Sequence, residues 1–382
     1  MHNILLKNAI VYQNGTFVPA EVLCADGKIT AIGTGLAVPP AAEILDCGGK
    51  RLVPGFIDAH THGAAGVDVN AATAEQLGEI GAFFATQGTT AWQCSVLTDT
   101  EEQTLWCIEQ AKQAMQKTGG AQLLGVHLEG PFLAAEYKGA MPEALLQKGS
   151  AALFARYQKA AEGAIHYITV SPEVEGVPEM IEAIAEDVVV AIGHSGADYE
   201  TSMDCIAKGA RCITHTFNAM KLFHQHFPAI MGAALESDAW CEAICDGRHL
   251  HPASVRMLLK CKGWDKVIAV TDSIMASGLP DGNYKLGVND VVVMDGDAKL
   301  ASNGVRAGST LTTGTALKNL VRFTGHPVED VLPLLTSNVA AALRIDNRKG
   351  SIKAGMDADF VLLDDALNVC RTIVGGVSVY QK

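Results

Sequence analysis

"VVVAIGHSGADYETSMDCIAKGARCITHTFNAM", residues 188–220, decides the fold. A short apolar run ends at Gly193-His194, a helix-patterned segment "YETSMDCIAKG" follows, and a second apolar run leads into His215. Strand, helix and strand in that order form one parallel β/α unit. In each strand-like run, a histidine stands where the apolar residues stop.

The same alternation extends over residues 54–345. "LVPGFIDAHTHG", "TTAWQCSV", "LLGVHLEG", "HYITVSPE", "CEAICDG" and "KVIAVTDS" join the two runs above, making eight strands with helical patterns between them. Eight such units predict an α/β fold, a TIM-like (β/α)8 barrel, in which functional groups gather at the C-terminal ends of the strands. Polar residues stand at those ends: His60 and His62, Glu129, Glu173, His194, His215, Asp246 and Asp272. The flanks read differently. Residues 1–53 and 346–382 hold short β-rich runs punctuated by Asn14-Gly15, Asp26-Gly27 and Gly375-Gly376, which are hairpin signals. They predict a small β-sandwich domain built from both termini.

The chain has 382 residues, 48% hydrophobic and 19% charged, with a formal net charge of -13. That composition suits a globular protein with a large core, and its acidity argues against nucleic acid or anionic membrane as partners. An anionic small molecule would need a local group of cations. Ten scattered cysteines without a CxxC pair read as free thiols in a reducing cytoplasm. The opening "MHNILLKNAIVYQNG" reads as strand and turn rather than signal peptide, and no apolar run is long enough to cross a bilayer.

His60 and His62 are two apart on an extended strand, so both rings face one side. Alone, this pair is more often an ordinary strand end. Together with His194, His215 and Glu129 it supplies imidazole and carboxylate, a ligand set that suits zinc or iron. His127 and Glu129 make an HxE, but no P-C-x-x-C follows, which excludes a zinc deaminase. His127 either supports a ligand from behind or packs inside the barrel. Asp272, after the eighth apolar run, either caps the next turn or moves a proton between an attacking water and a leaving amine.

"PGFIDAHTHG", "HLEGPF", "GHSGA", "THTFNAM", "CDGRHLHP", "VTDS" and "GSIKAGMDADFVLLD" together resemble the amidohydrolase superfamily, and within it the N-acetylglucosamine-6-phosphate deacetylases. The resemblance implies hydrolysis of the N-acetyl group of an amino-sugar phosphate by a metal-dependent homodimer. It implies a metal site at Glu129, His194 and His215, with Asp272 as the catalytic carboxylate. Ala140, Asn218, Ala219, His249 and the segment Arg306-Ala307-Gly308 match positions that contact the sugar or phosphate. One ion is expected, and a second could sit at His60 and His62. The fourth strand, "IHYITVSPE", has no lysine to carry a bridging carbamate.

Two segments depart from the family pattern. Met141 replaces a histidine that polarises the substrate carbonyl, a role a second ion could assume. His226 and Phe227 stand where an arginine from the partner subunit pairs with phosphate. Arg248 and Arg306, with Lys221, are then candidates for a relocated anion site. Alternative substrates are N-acetylgalactosamine 6-phosphate or another small N-acyl acid, and a non-catalytic sugar-phosphate binder is the alternative of a different class.

Overall fold

A computed structural model describes residues 3–382. Eight parallel strands follow one another in chain order around the barrel: Phe56–Asp58, Thr89–Leu97, Gln122–Glu129, Ile165–Val170, Val189–Ile192, Cys212–Ile213, Trp240–Ile244 and Val267–Val270. They are buried almost throughout because barrel interior and helix layer cover both faces. The first and eighth strands meet through a bridge between Thr61 and Ser273. The Asp272 amide also donates to the His60 carbonyl at 2.8 Å, and the His62 amide to the Ser273 carbonyl at 2.7 Å. No helix among the described residues is long and apolar enough to cross a membrane.

A helix follows each strand. Tyr199–Ala207 shows why it sits where it does: the Asp198 carboxylate accepts from the Thr201 amide at 2.8 Å, capping one of the unpaired first-turn donors. The chain leaves that helix through Gly209, whose φ of +117° a side chain would resist. Between the eighth strand and its helix, Thr313–Thr324, lies a unit that the sequence pattern did not reveal. It is an antiparallel sheet of Gly282–Leu286, Asn289–Met294 and Asp297–Leu300. Leu286, Val291, Val293 and Leu300 pack with Leu97, Leu133 and Met141 in a separate small core over the barrel mouth.

The two termini meet in one continuous, mostly antiparallel sheet. Asn3–Gln13 lies beside Thr16–Ala25 and Arg51–Pro54, which in turn pairs with Phe360–Leu363 from the other end of the chain. All three expected hairpin turns form, with positive φ at both residues of Asn14-Gly15, Asp26-Gly27 and Gly375-Gly376. Those dihedrals match the right-handed twist of the flanking strands. Ile4, Leu6, Val11, Leu52, Phe360 and Ile373 form this domain's own core. All ten cysteines are free thiols, and eight of them are buried.

Candidate metal centre and active site

The C-terminal mouth of the barrel brings His60, His62, Glu129, His194, His215 and Asp272 together, each under a tenth exposed. Two groups of potential ligands share one carboxylate: His60, His62 and Glu129, and Glu129, His194 and His215. Glu129 Oε1 lies 3.1 Å from His194 Nε2 and 3.3 Å from His215 Nε2, while its Oε2 lies 3.2 Å from His62 Nε2. Asp272 Oδ1 stands 3.2 Å from His62 Nε2 and 3.6 Å from His60 Nε2.

The outer nitrogens decide whether this donor set fits a cation. His62 Nδ1 lies 2.9 Å from the Ser95 carbonyl and His194 Nδ1 2.7 Å from the Tyr137 carbonyl. Carbonyls only accept, so both rings carry their proton on Nδ1 when neutral. His60 Nδ1 faces the Glu242 carboxylate at 3.0 Å and is held likewise. Three bare Nε2 lone pairs then point inward. Yet His60 and His62 stand 3.1 Å apart at Nε2, and His194 and His215 2.9 Å. Facing lone pairs on His60 and His62 at such a distance repel unless a proton or a cation lies between them, and His215, whose Nδ1 has no partner, can present a bare Nε2 to the same point as His194, so the residues fit one or two divalent ions.

The same crowding governs protonation in the metal-free protein. Burial opposes charge on His60, but Glu242, Glu129 and Asp272 overcome it and hold its pKa well above the histidine range. For His62, burial is overcome by hydrogen bonds to Asp272 and Glu129, lifting it to about 9. Burial would raise Glu129, but His60 and the hydrogen bonds from His194 and His215 keep it well below the carboxylate range. Asp272 is held low against its burial by His60 and His62. Both carboxylates are therefore ionised at neutral pH.

Backbone strain coincides with the site. His194, His215 and Asp272 have φ of 48°, 28° and 48°. Left-handed conformations are uncommon for residues with a Cβ and cost about 1–3 kcal/mol each. All three lie just beyond barrel strand ends, where the chain must turn sharply to aim a side chain into the mouth. His127 is settled as a packed interior group. It is buried between Ser95 Oγ at 2.8 Å and Thr169 Oγ1 at 2.9 Å, and burial together with His60 depresses its pKa well below the usual value.

Above the centre opens a cavity of about 460 Å³. Of the residues expected at the substrate, Ala140, Asn218, Ala219, His249, Arg306, Ala307 and Gly308 line it. Asp246 accepts from His249 Nδ1 at 2.7 Å, leaving Nε2 as the ring nitrogen free for a ligand. Arg248 and His226 are not part of this wall. The Arg248 guanidinium donates to the Asp295 carbonyl, and His226 sits on an exposed loop with Leu222, Phe223 and Phe227. Lys221 is exposed on the same loop.

Arg306 reaches the wall but is already engaged. Its Nε and Nη2 grip Asp297 at 2.7 and 2.9 Å, and Nη1 donates to the Arg248 carbonyl at 3.1 Å. Arg306 therefore meets an anion with few donors free, since three of its N–H groups are already engaged and it shares Asp297 with Lys299. Lys138, a further cation on the wall, and Tyr137, whose carbonyl orients His194, carry no signal in the strand pattern. Glu242, which is fully buried against His60, did not stand out either. Glu173 serves the frame: it accepts from Ser195 Oγ at 2.7 Å and the Gly196 amide at 2.6 Å, bracing the turn after His194.

Comparison with known proteins agrees with this geometry. The chain is 34% identical to an N-acetylglucosamine-6-phosphate deacetylase of Bacillus subtilis, over 98% of this chain and 96% of that one. It is 30% identical to an N-acetylgalactosamine-6-phosphate deacetylase of Escherichia coli O157:H7, over 98% and 99%. A solved structure of a substituted N-acetyl-D-glucosamine-6-phosphate deacetylase from Mycobacterium smegmatis, in complex with N-acetyl-D-glucosamine-6-phosphate, superposes with a TM-score of 0.91. It has 31% sequence identity and full coverage of both chains. The amidohydrolase family model matches residues 51–379, and the chain belongs to that family.

Proposed function

We propose that the protein is a metal-dependent deacetylase that hydrolyses the N-acetyl amide of N-acetylglucosamine 6-phosphate to glucosamine 6-phosphate and acetate. The observation that carries this reading is the position of Asp272. An ionised carboxylate lies beside two potential metal triads, at the base of a cavity of about 460 Å³, a size that suits a phosphorylated monosaccharide.

Glu129, His194 and His215 would hold one ion, and His60 and His62, sharing Glu129, a second. Zinc and iron both suit these donors. When bound, such an ion supplies Lewis acidity toward the amide and the attacking water. The protein's own groups do the rest. Asp272 accepts a proton from the water and returns it to the departing nitrogen. His249, Asn218 and the Ala307-Gly308 backbone border the sugar. Lys138 is the cation best placed for the phosphate, with His249 on the same wall. Met141 is buried in the cavity wall and offers no proton, so polarisation of the carbonyl falls to the His60/His62 side.

A cytoplasmic homodimer is part of the proposal. Leu222, Phe223 and Phe227 are large apolar side chains exposed on one loop, and a second copy of the chain would cover them. That would also carry His226 toward the partner's cavity. The N-acetylgalactosamine 6-phosphate alternative is supported by the similarity to the Escherichia coli relative.

The test is acetate release by metal-loaded protein from both hexosamine phosphates, from unphosphorylated N-acetylglucosamine and from an N-acyl amino acid. Faster turnover of N-acetylglucosamine 6-phosphate than of the other three is expected. Sugar-phosphate binding without acetate from any substrate would make the protein a binder instead.

A further inference from the structure

Glu129 and Asp272 face the cavity, but a third carboxylate at the centre does not. Glu242 lies on the seventh barrel strand with no exposed surface. Its Oε2 accepts from His60 Nδ1 at 3.0 Å and from the His215 amide at 2.9 Å, while Oε1 accepts from the Tyr167 hydroxyl at 2.6 Å. Among the described residues, no lysine or arginine pairs with it. Its one neighbour that can carry positive charge is His60, 3.0 Å away, and a histidine that ligates a metal is neutral, so the carboxylate would then lack a counter-charge on the protein; a glutamine could fill most of the same hydrogen-bonding positions without that cost. The charge therefore calls for an explanation.

The neighbouring ligands show what is distinctive. His62 and His194 are oriented by neutral carbonyls, those of Ser95 and Tyr137. His215 Nδ1 has no hydrogen-bond partner. His60 alone is backed by a carboxylate, which makes its Nε2 the most electron-rich of the four. The same carboxylate oxygen holds the backbone of His215, at a φ of 28°, so one group braces a ligand from each triad.

We propose that Glu242 is a positioning residue for a second metal ion. It fixes His60 with its proton on Nδ1 and its Nε2 lone pair toward His62 and Glu129, and it supplies buried negative charge that the ion balances. Tyr167 in turn fixes the carboxylate. This deepens the two-ion form of the function proposed above and rests on it.

The test uses full-length wild type, Glu242→Gln and Tyr167→Phe, each stripped of metal and titrated with Zn²⁺ and separately with Co²⁺. Ion count, visible Co²⁺ absorption and thermal midpoint are followed. Glutamine can keep the hydrogen bonds to His60 and the His215 amide while removing the charge. Two ions in wild type are expected. Glu242→Gln should weaken one of them by about 10- to 100-fold, the usual effect of losing an outer-shell partner, and leave the other unchanged. The Co²⁺ spectrum should lose one component. Tyr167→Phe should act in the same direction by a severalfold loss, so the proposal stays testable even if Glu242→Gln folds poorly. Two ions at wild-type affinity in both variants would overturn the role of Glu242 alone. A single ion in the wild type would overturn the two-ion reading, and this proposal with it.

Discussion

Replacing Asp272 with asparagine isolates proton transfer from architecture. The backbone there is pinned: the Asp272 amide donates to the His60 carbonyl at 2.8 Å, and its carbonyl accepts from the Ser309 amide at 2.7 Å. Its φ of 48° is one that asparagine tolerates better than most residues. Asn is nearly isosteric and keeps this backbone geometry, so the fold should persist, while the metal-free variant should melt lower than wild type because the carboxylate beside His60 and His62 is gone. Chemistry should not survive as well. A positioned general acid–base contributes about 10²–10⁴ in rate, or roughly 3–5.5 kcal/mol of barrier at 1.36 kcal/mol per decade. Steady-state kinetics should therefore show kcat reduced at least a hundredfold with KM changed by less than about threefold, since the carboxylate moves protons rather than holding the sugar. Metal content measured on the same samples separates loss of the base from loss of an ion. A kcat within tenfold of wild type at unchanged metal content would refute the assignment.

Three further outcomes are open to direct measurement. Gly139→Ala places a Cβ 3.2 Å from His194 Cε1 at a φ of +58°, so a left-handed penalty of about 1–2 kcal/mol should lower the thermal midpoint. The displaced imidazole should cut kcat/KM at least tenfold; unchanged kinetics would show that His194 needs no such clearance. Arg306→Ala should raise KM for the phosphorylated substrate less than threefold, because Asp297 already neutralises the guanidinium, whereas His249→Ala should raise it tenfold or more. The reverse order would restore Arg306 as the anion site. The last concerns pH. His62 in metal-free protein has a pKa raised to about 9, above an unfolded value of about 6.5. Its ion pairs then stabilise fully below about pH 6.5 and are lost as pH rises through 9. Calorimetry should show the midpoint of stripped protein falling over that window, while metal, which must displace those protons, binds more tightly as pH rises.

The barrel and its ligands were legible because each buried strand reads as an apolar run, and the residue that ends it faces the mouth. His60, His62, Glu129, His194, His215 and Asp272 all announce themselves this way. Glu242 was hidden by the same habit, since "CEAICDG" passes for a strand with one charge turned to solvent. A signal was present: in a barrel strand covered on both faces, no position is free for an unpartnered charge. The pairing of Arg306 was hidden for a different reason. Its partner Asp297 lies nine residues earlier, across a hairpin that the alternation of strands and helices did not mark. Arg248 sits near pocket residues in sequence, but its guanidinium is taken up by the Asp295 carbonyl, and spacing carries no information about that.

The seam of the barrel has a consequence for how the molecule comes into being. Asp58 and Thr271, hydrogen-bonded at 2.6 Å across it, are separated by 213 positions along the chain. His60 and His62 stand on one side of that join and Asp272 on the other. During synthesis the two histidines leave the ribosome long before their carboxylate neighbour exists. A complete centre cannot form until the eighth strand has docked, and the pairing of Arg51–Pro54 with Phe360–Leu363 must wait longer still. Ion capture at full affinity is thus a late event, and it distinguishes a finished molecule from a nascent or truncated one.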